Sequence, residues 1–231
     1  MLDKFKTATQ RRPANPAGSI MVIGLGRFGQ AVARSLVRLG HEVLAVDSRL
    51  PTVESLADEL PNIVQADCTD MDTLRQLDAH SFAHVVVAIG QDLEASVLTV
   101  LNLSQLNVAD IWVKASTAQH ARIVERLGAH HVIFPEADMG ARVAHLVTGK
   151  MIDFIEFLDG FAIAKTRAPA EMHGKALSES RIRQSKLITV VGLKRLNQDF
   201  LYAQPETVVE PDDLLVVAGA TADVERFAAG T

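Results

Sequence analysis

Three glycines at the spacing G-x-G-x-x-G, in Gly24-Leu25-Gly26-Arg27-Phe28-Gly29, follow the apolar run Ile20-Met21-Val22-Ile23. That combination suits main chain to phosphate. The first glycine permits a tight turn, the second lets the backbone approach a pyrophosphate, and the third allows a helix to pack closely on the strand before it. Amides that open such a helix carry partial positive charge and attract an anion. By itself the motif is weak. It gains weight from Asp47, which ends the next β-rich run 18 residues after Gly29. A carboxylate there accepts hydrogen bonds from both ribose hydroxyls of a nucleotide and repels a 2'-phosphate, which favours NAD over NADP. Asp47-Ser48 is also good turn chemistry before Pro51. Arg27 is the unusual member, because a loop that works through backbone needs no cation. It is either a solvated first-turn residue or a contact for an additional phosphate.

The remaining candidates fall at the ends of later β-rich runs. Ala66-Asp67-Cys68-Thr69-Asp70 lies where an adenine edge belongs: Asp67 either accepts from the adenine amino group or, with Thr69 or Asp70, caps the helix at Met71. Cys68 has no neighbouring histidine or cationic cluster to lower its pKa, so its chemistry is that of a small packed residue. Gly90, in Ala88-Ile89-Gly90-Gln91-Asp92, allows backbone close to a ligand, and Asp92 is placed to cap the helix at Leu93. Lys114 ends Ile111-Trp112-Val113 with no paired histidine or carboxylate in the sequence to make it a general acid or base. The expected nucleotide contacts are therefore Gly24, Gly26, Arg27, Phe28, Gly29, Asp47, Asp67, Cys68, Gly90 and Lys114. His120, His130, His131 and His145 show no metal spacing and read as packing or surface residues.

These residues need strands that end beside one another. β-rich runs at 20–23, 42–46, 63–65, 84–88, 111–113 and 132–134 alternate with amphipathic segments at 30–39, 53–60, 71–77, 93–105 and 118–127. The alternation predicts an α/β fold, a doubly wound parallel sheet with helices on both faces. A further helix is expected from Pro135-Glu136 to about Thr148, since proline suits the first helical position and an acidic residue complements the dipole. Residues 151–158, rich in isoleucine and phenylalanine, read as an apolar connector. Beyond residue 160, strands at 161–166, 187–193 and 214–218 with helices at 177–182 and 222–227 predict a small α+β domain. The expected organisation is a basic tail at 1–18, a nucleotide-binding domain at 19–150, and a connector with a C-terminal domain at 151–231.

Composition sets limits on partners. The chain has 231 residues, 48% hydrophobic, with a formal charge of -5, so nothing favours a nucleic-acid partner, which normally meets a basic face. One cysteine, Cys68, excludes an internal disulfide and fits a reducing cytoplasm. No apolar run reaches the roughly 18 to 20 residues that span a bilayer, so any membrane role is borrowed from a partner.

Taken together, Val22 to Gly29, Gly40-His41-Glu42-Val43-Leu44-Ala45-Val46-Asp47, Val86 to Gly90, Ile111 to Ala115 and Pro135-Glu136-Ala137-Asp138-Met139-Gly140 resemble the RCK proteins (KtrA/TrkA), cytosolic regulatory subunits of Ktr/Trk potassium uptake systems. The resemblance covers nearly all the chain after the tail and implies a Rossmann-like nucleotide-binding domain followed by a small C-terminal one. It implies no catalytic turnover. Dimers are expected to assemble into an octameric ring at the inner membrane face beneath a membrane potassium-translocating subunit of the KtrB/TrkH type. ATP, ADP or NAD(H) is the expected ligand, with Arg27 at the terminal phosphate and Glu136 helping to hold a cation, Mg2+ or Na+, near the phosphates. Cyclic di-AMP is a further ligand in some members. Here Lys194-Arg195 either meets its phosphates or forms a basic turn. The segment 135–157 resembles the crossover by which members clasp a second subunit. The competing reading, carried by the glycine loop and Asp47 only, is an NAD-dependent reductase or redox sensor.

Overall fold

The computed structural model describes residues 18–147, 151–157 and 159–230; the expected tail, apart from Gly18, and the expected ends at Thr148 and Leu158 lie outside them. The chain divides into two compact units, the first ending at Pro135 and the second starting at Glu136.

The first unit alternates strand and helix: β1 (Ile20–Ile23), α1 (Arg27–Arg38), β2 (Val43–Asp47), α2 (Leu50–Leu56), β3 (Ile63–Gln65), α3 (Met71–Gln76), β4 (His84–Val87), α4 (Leu93–Gln105), β5 (Ile111–Lys114), α5 (Ala118–Arg126) and β6 (His131–Ile133). All six strands are parallel, in the order β3-β2-β1-β4-β5-β6. Every residue of β1 is buried, as a central parallel strand covered on both faces requires. Its side chains alternate: Met21 and Ile23 join a core with Val85, Ile111 and Leu103, while Ile20 and Val22 join another with Leu25, Ala33 and Leu56. The order reverses between β1 and β4, so the connections leaving their C-terminal ends part and open a crevice there.

Most element ends fall within a residue or two of expectation, and the exceptions have physical causes. Helix α1 begins at Arg27, not at Gln30, because Gly26 serves as its N-cap without any side-chain bond that a sequence pattern would mark. Helix α2 begins at Leu50, not at Val53, since Pro51 sits in the first turn, where its missing N–H costs nothing. The histidines pack as expected. His120 is buried between α5 and α4, its Nε2 3.1 Å from Ser96 Oγ, and burial pushes its pKa down. His131 stacks on Trp112 and, with His84, pairs with Asp110.

The second unit comprises α6 (Pro135–Val147), β7 (Asp153–Glu156), β8 (Phe161–Arg167), α7 (Leu177–Ser180), α8 (Ile182–Ser185), β9 (Ile188–Lys194), β10 (Phe200–Tyr202), β11 (Leu214–Ala220) and α9 (Thr221–Ala229). Its strands form an antiparallel sheet in the order β10-β9-β11-β8-β7 around a core that includes Phe154, Leu193, Leu215, Val224 and Phe227. Three expectations change here. The apolar connector contains a strand, β7, which pairs with β8 and buries Phe154. The helix expected at 177–182 is two, broken where Arg181 takes a left-handed conformation at φ 47°. The division falls after residue 135, before the expected residue 150, because α6 is fastened to this unit: Arg142 reaches Asp153 at 2.5 Å and the His145 ring lies 4.2 Å from that of Phe154.

The turn before β11 is held by a buried ion pair. Asp213 is 1% exposed and accepts from the Glu210 amide at 2.8 Å and from Arg195 Nε at 3.0 Å, while Arg195 also donates to the Val208 carbonyl at 2.6 Å. Removing the guanidinium leaves a buried carboxylate uncompensated. We expect Arg195→Ala to destabilise the second unit by about 3 kcal/mol in urea denaturation. Arg226→Ala, which breaks only the i,i+3 pair with Asp223, is expected to cost less than about 1 kcal/mol.

Candidate functional site

The glycine loop joins β1 to α1 at the point where the strand order reverses. Gly24 adopts φ +90°, a conformation that favours glycine, and a Cβ there would also meet Ile89 at 3.0 Å. A Cβ on Gly29 would stand 1.9 Å from the Gly24 carbonyl oxygen, so the third glycine is what lets α1 pack on β1. Gly26 differs from both, because a Cβ there would enter open space. The loop is pinned at Leu25, whose carbonyl accepts from Gln30 Nε2 at 2.9 Å and whose amide donates to Asp47 Oδ2 at 2.7 Å.

Helix α1 presents its first amides without a side-chain cap and has no acidic residue in its first turn. Three helices of the first unit are capped: Asp70 accepts from the Asp72 and Thr73 amides at α3, Asp92 from Ala95 at α4, and Thr117 from His120 at α5. Helix α2, with Arg49 at its N-cap, lacks a side-chain cap as α1 does, and at α1 the bare end offers the first amides and the positive pole of a helix to an anion. Arg27, exposed at its first position, adds a cation where the dipole alone would favour an acidic residue. Lys114, ending β5, brings its Nζ to 5.7 Å from the centre of the Phe28 ring and passes so close to Gly90 that a Cβ there would meet Nζ at 3.0 Å. The expected Phe28, Gly90 and Lys114 are thereby brought together.

Asp47 ends β2 with 6% of its surface exposed. Its Oδ1 accepts from the Arg49 amide at 2.9 Å and from Arg49 Nε at 3.2 Å, which makes it the turn residue as well as the anchor of the loop. Burial alone would raise its pKa, but the amide and guanidinium of Arg49 and the amide of Leu25 outweigh that and hold it below the ordinary aspartate value.

A cleft of about 290 Å³ lies beyond β2, β3 and β4, lined by Ser48, Asp67, Thr69, Asp92, Glu94 and Leu98. Asp67 leaves the capping of α3 to Asp70 and instead binds the amide and hydroxyl of Thr69 through Oδ1, at 2.9 and 2.7 Å. The Thr69 carbonyl is tied to Asn102 Nδ2 at 2.8 Å, which fixes this loop against α4. Cys68 is corrected as a side-chain contact: it is 4% exposed within the core, and burial, with the charges of Asp67 and Asp47, pushes its thiol up to about 12. Glu136 lies in the second unit, as the second residue of α6. Among the described residues no group of three or more histidine, cysteine or acidic side chains is arranged to hold a metal ion.

Sequence reasoning missed Arg49, Gln30 and Asn102. The signal for Arg49 was available as a cation two residues after Asp47, whereas the loop-fixing bonds of Gln30 and Asn102 depend on tertiary placement.

Two outcomes follow for variants. Gly29→Ala is expected to lose several kcal/mol of stability through the forced clash with backbone, while Gly26→Ala keeps the wild-type melting temperature and loses affinity for phosphate-bearing ligands by tenfold or more. Asp47→Asn is expected to cost about 1 to 2 kcal/mol at neutral pH. Because the native carboxylate pKa is depressed, its contribution is complete above the unfolded value of about 3.9 and is lost as pH falls through the lower native value. Urea midpoints of wild type and variant therefore converge below about pH 4.

Residues 20–135 match the TrkA-N domain family and residues 162–229 match the TrkA-C domain family. The chain is 35% identical over 207 residues to Ktr system potassium uptake protein A of Bacillus subtilis, covering 89% of this chain and 93% of that protein. It is also 35% identical over 199 residues to the protein of that name from Vibrio alginolyticus, covering 86% and 90%. Among solved structures it is similar to the GsuK channel bound to NAD, with a TM-score of 0.64 at 20% identity over 91% of this chain and 39% of the channel chain. This chain thus spans less than half of that channel's length. With a nucleotide-type sheet and an antiparallel second unit in the matched order, the chain belongs to the Ktr/TrkA family of potassium uptake proteins built from a TrkA-N and a TrkA-C domain.

Proposed function

We propose that this chain is the nucleotide-sensing regulatory subunit of a Ktr-type potassium uptake system, acting on a membrane potassium-translocating subunit and not as a catalyst. The observation that carries the reading is the match along 89% of the chain to a Ktr potassium uptake protein. The bare glycine-loop helix at its centre supports the sensing role. No helix among the described residues is long and apolar enough to cross a membrane. The reading assigns the ion path to the partner and places this chain at the inner membrane face.

In this reading the phosphates lie over Gly26, against the first amides of α1, with Lys114 nearby. Asp47 holds the ribose and Asp67, through Oδ2, the amino group of the base. ATP, ADP and NAD(H) share all of these contacts; NAD is the ligand in the similar GsuK structure. They differ in charge at the far phosphate, and Arg27 is placed to read that difference, since a guanidinium offers paired donors to phosphate oxygens. A ligand moves an equilibrium between two shapes only by its unequal affinity for them, so the contact that distinguishes ATP from ADP is the one that transmits a signal.

Exposed Met139, Val143 and Val147 form a stripe at i, i+4 and i+8 on α6, which supports clasping of a second copy and growth to an octameric ring. Glu136 alone does not make a cation site, and no step of the proposal passes through a metal. Lys194 donates to the Gln198 carbonyl and Arg195 is committed to Asp213, which favours the basic turn over a cyclic di-AMP contact.

The test is titration of the purified protein with ATP and ADP, then with Arg27→Ala. ATP is expected to weaken by about tenfold and ADP by less than about threefold. Equal losses would remove the terminal phosphate from Arg27, and turnover of NADH with a carbonyl substrate would replace the sensor with the reductase.

A further inference from the structure

A carboxylate offers about four lone-pair directions to donors. In Asp47 three are occupied by the protein itself: the amide and Nε of Arg49 fill Oδ1, and the Leu25 amide takes one direction on Oδ2. Asp47 itself is 6% exposed, so the two amides that reach it are fixed by the backbone, while the Arg49 side chain approaches from the surface. One direction remains, on Oδ2. A ribose diol presents two hydroxyls, and the expectation that Asp47 accepts from both is not compatible with Arg49 in place.

We propose that Arg49 is a specificity-determining residue of the nucleotide site, which by saturating Oδ1 limits Asp47 to a single ribose hydroxyl. The inference rests on the assignment of Asp47 to ribose. Its chemical consequence concerns ligand class: the site binds nucleotides lacking one particular ribose hydroxyl as well as it binds the parent, and discriminates only against loss of the other. The guanidinium is suited to the task. It is 65% exposed, so it is not needed by the core, and it is tethered two residues from its target at the N-cap of α2. Its charge offsets that of a buried carboxylate, which stabilises the occupied arrangement. The Arg49 amide stays on Oδ1 whatever the side chain, so removing the side chain frees one direction there and no more.

The experiment titrates the full chain with ATP, 2'-deoxy-ATP and 3'-deoxy-ATP by calorimetry, in wild type and Arg49→Ala, with thermal melts to confirm that the surface substitution leaves the fold intact. In wild type one deoxy analogue is expected to bind about tenfold more weakly than ATP, the cost of a hydrogen bond to a charged acceptor, and the other within about twofold. In Arg49→Ala both analogues fall below ATP. Loss against both analogues in wild type would overturn the proposal, as would an unchanged one-hydroxyl pattern in Arg49→Ala. If neither analogue is weakened in wild type, Asp47 does not read ribose and the inference falls with that assignment, while ATP binding itself stands. Failure to bind ATP at all instead refutes the sensor reading.

Discussion

A buried carboxylate must find donors, and the way Asp47 finds them organises the site. At the C-terminal end of β2 it is largely buried and takes its hydrogen bonds from the amide of Leu25, 22 residues earlier, and from Arg49, two residues later. The first bond fixes the Gly24–Leu25 peptide, in the turn that leads to the amides opening α1. The conformation needed for that bond is available because Gly24 turns at positive φ and Gly29 lets α1 descend onto β1. Asp47 and the glycine loop, the two ends of the proposed nucleotide site, are therefore not independent. A change that moves one carboxylate oxygen moves the phosphate loop with it.

The treatment of helix ends separates binding from structure. Three helices around the crevice are closed by Asp70, Asp92 and Thr117, each satisfying amides that would otherwise face solvent. Helices α1 and α2 have no side-chain cap, and α1 has glycine at that position with arginine in its first turn. Both choices sacrifice a little helix stability, since a glycine cap forgoes roughly a few tenths of a kcal/mol relative to Ser or Asp and a cation opposes the dipole. In the proposed site a ligand phosphate would reverse both effects at once, supplying acceptors to the amides and an anion to Arg27.

Much of this was legible in the sequence, because it rests on local rules. The six parallel strands are apolar runs, their order of appearance follows from alternation with helices, and Gly24 and Gly29 occupy the turn and packing positions that their spacing announced. Asp92 as the cap of α4 was also readable. What was not readable depends on partners distant in sequence. Strand β10 is three exposed residues, and its Phe200 ring lies where a side chain on Gly192 would be, so no alternation marks it. Strand β7 looked like a connector because only Phe154 of its four residues is buried. Cys68 sits beside Asp67 in sequence, yet its side chain turns to the opposite environment, into the core.

Charge is laid out unevenly along the crevice, and this orients a ligand before any specific bond forms. The cleft end carries Asp67, Asp92 and Glu94, while the loop end carries Arg27 and Lys114. A nucleotide entering phosphates first into the cleft meets three carboxylates, and entering base first toward the loop it carries its own charge away from the cations. Two of the carboxylates already spend an oxygen on structure, Asp67 on Thr69 and Asp92 on Ala95, so what they add at the cleft is mainly charge and a remaining acceptor. Acceptors without donors suit an amino group on a base. The same distribution gathers the cations at one end of the crevice, which fits the proposed reading of phosphate charge by Arg27.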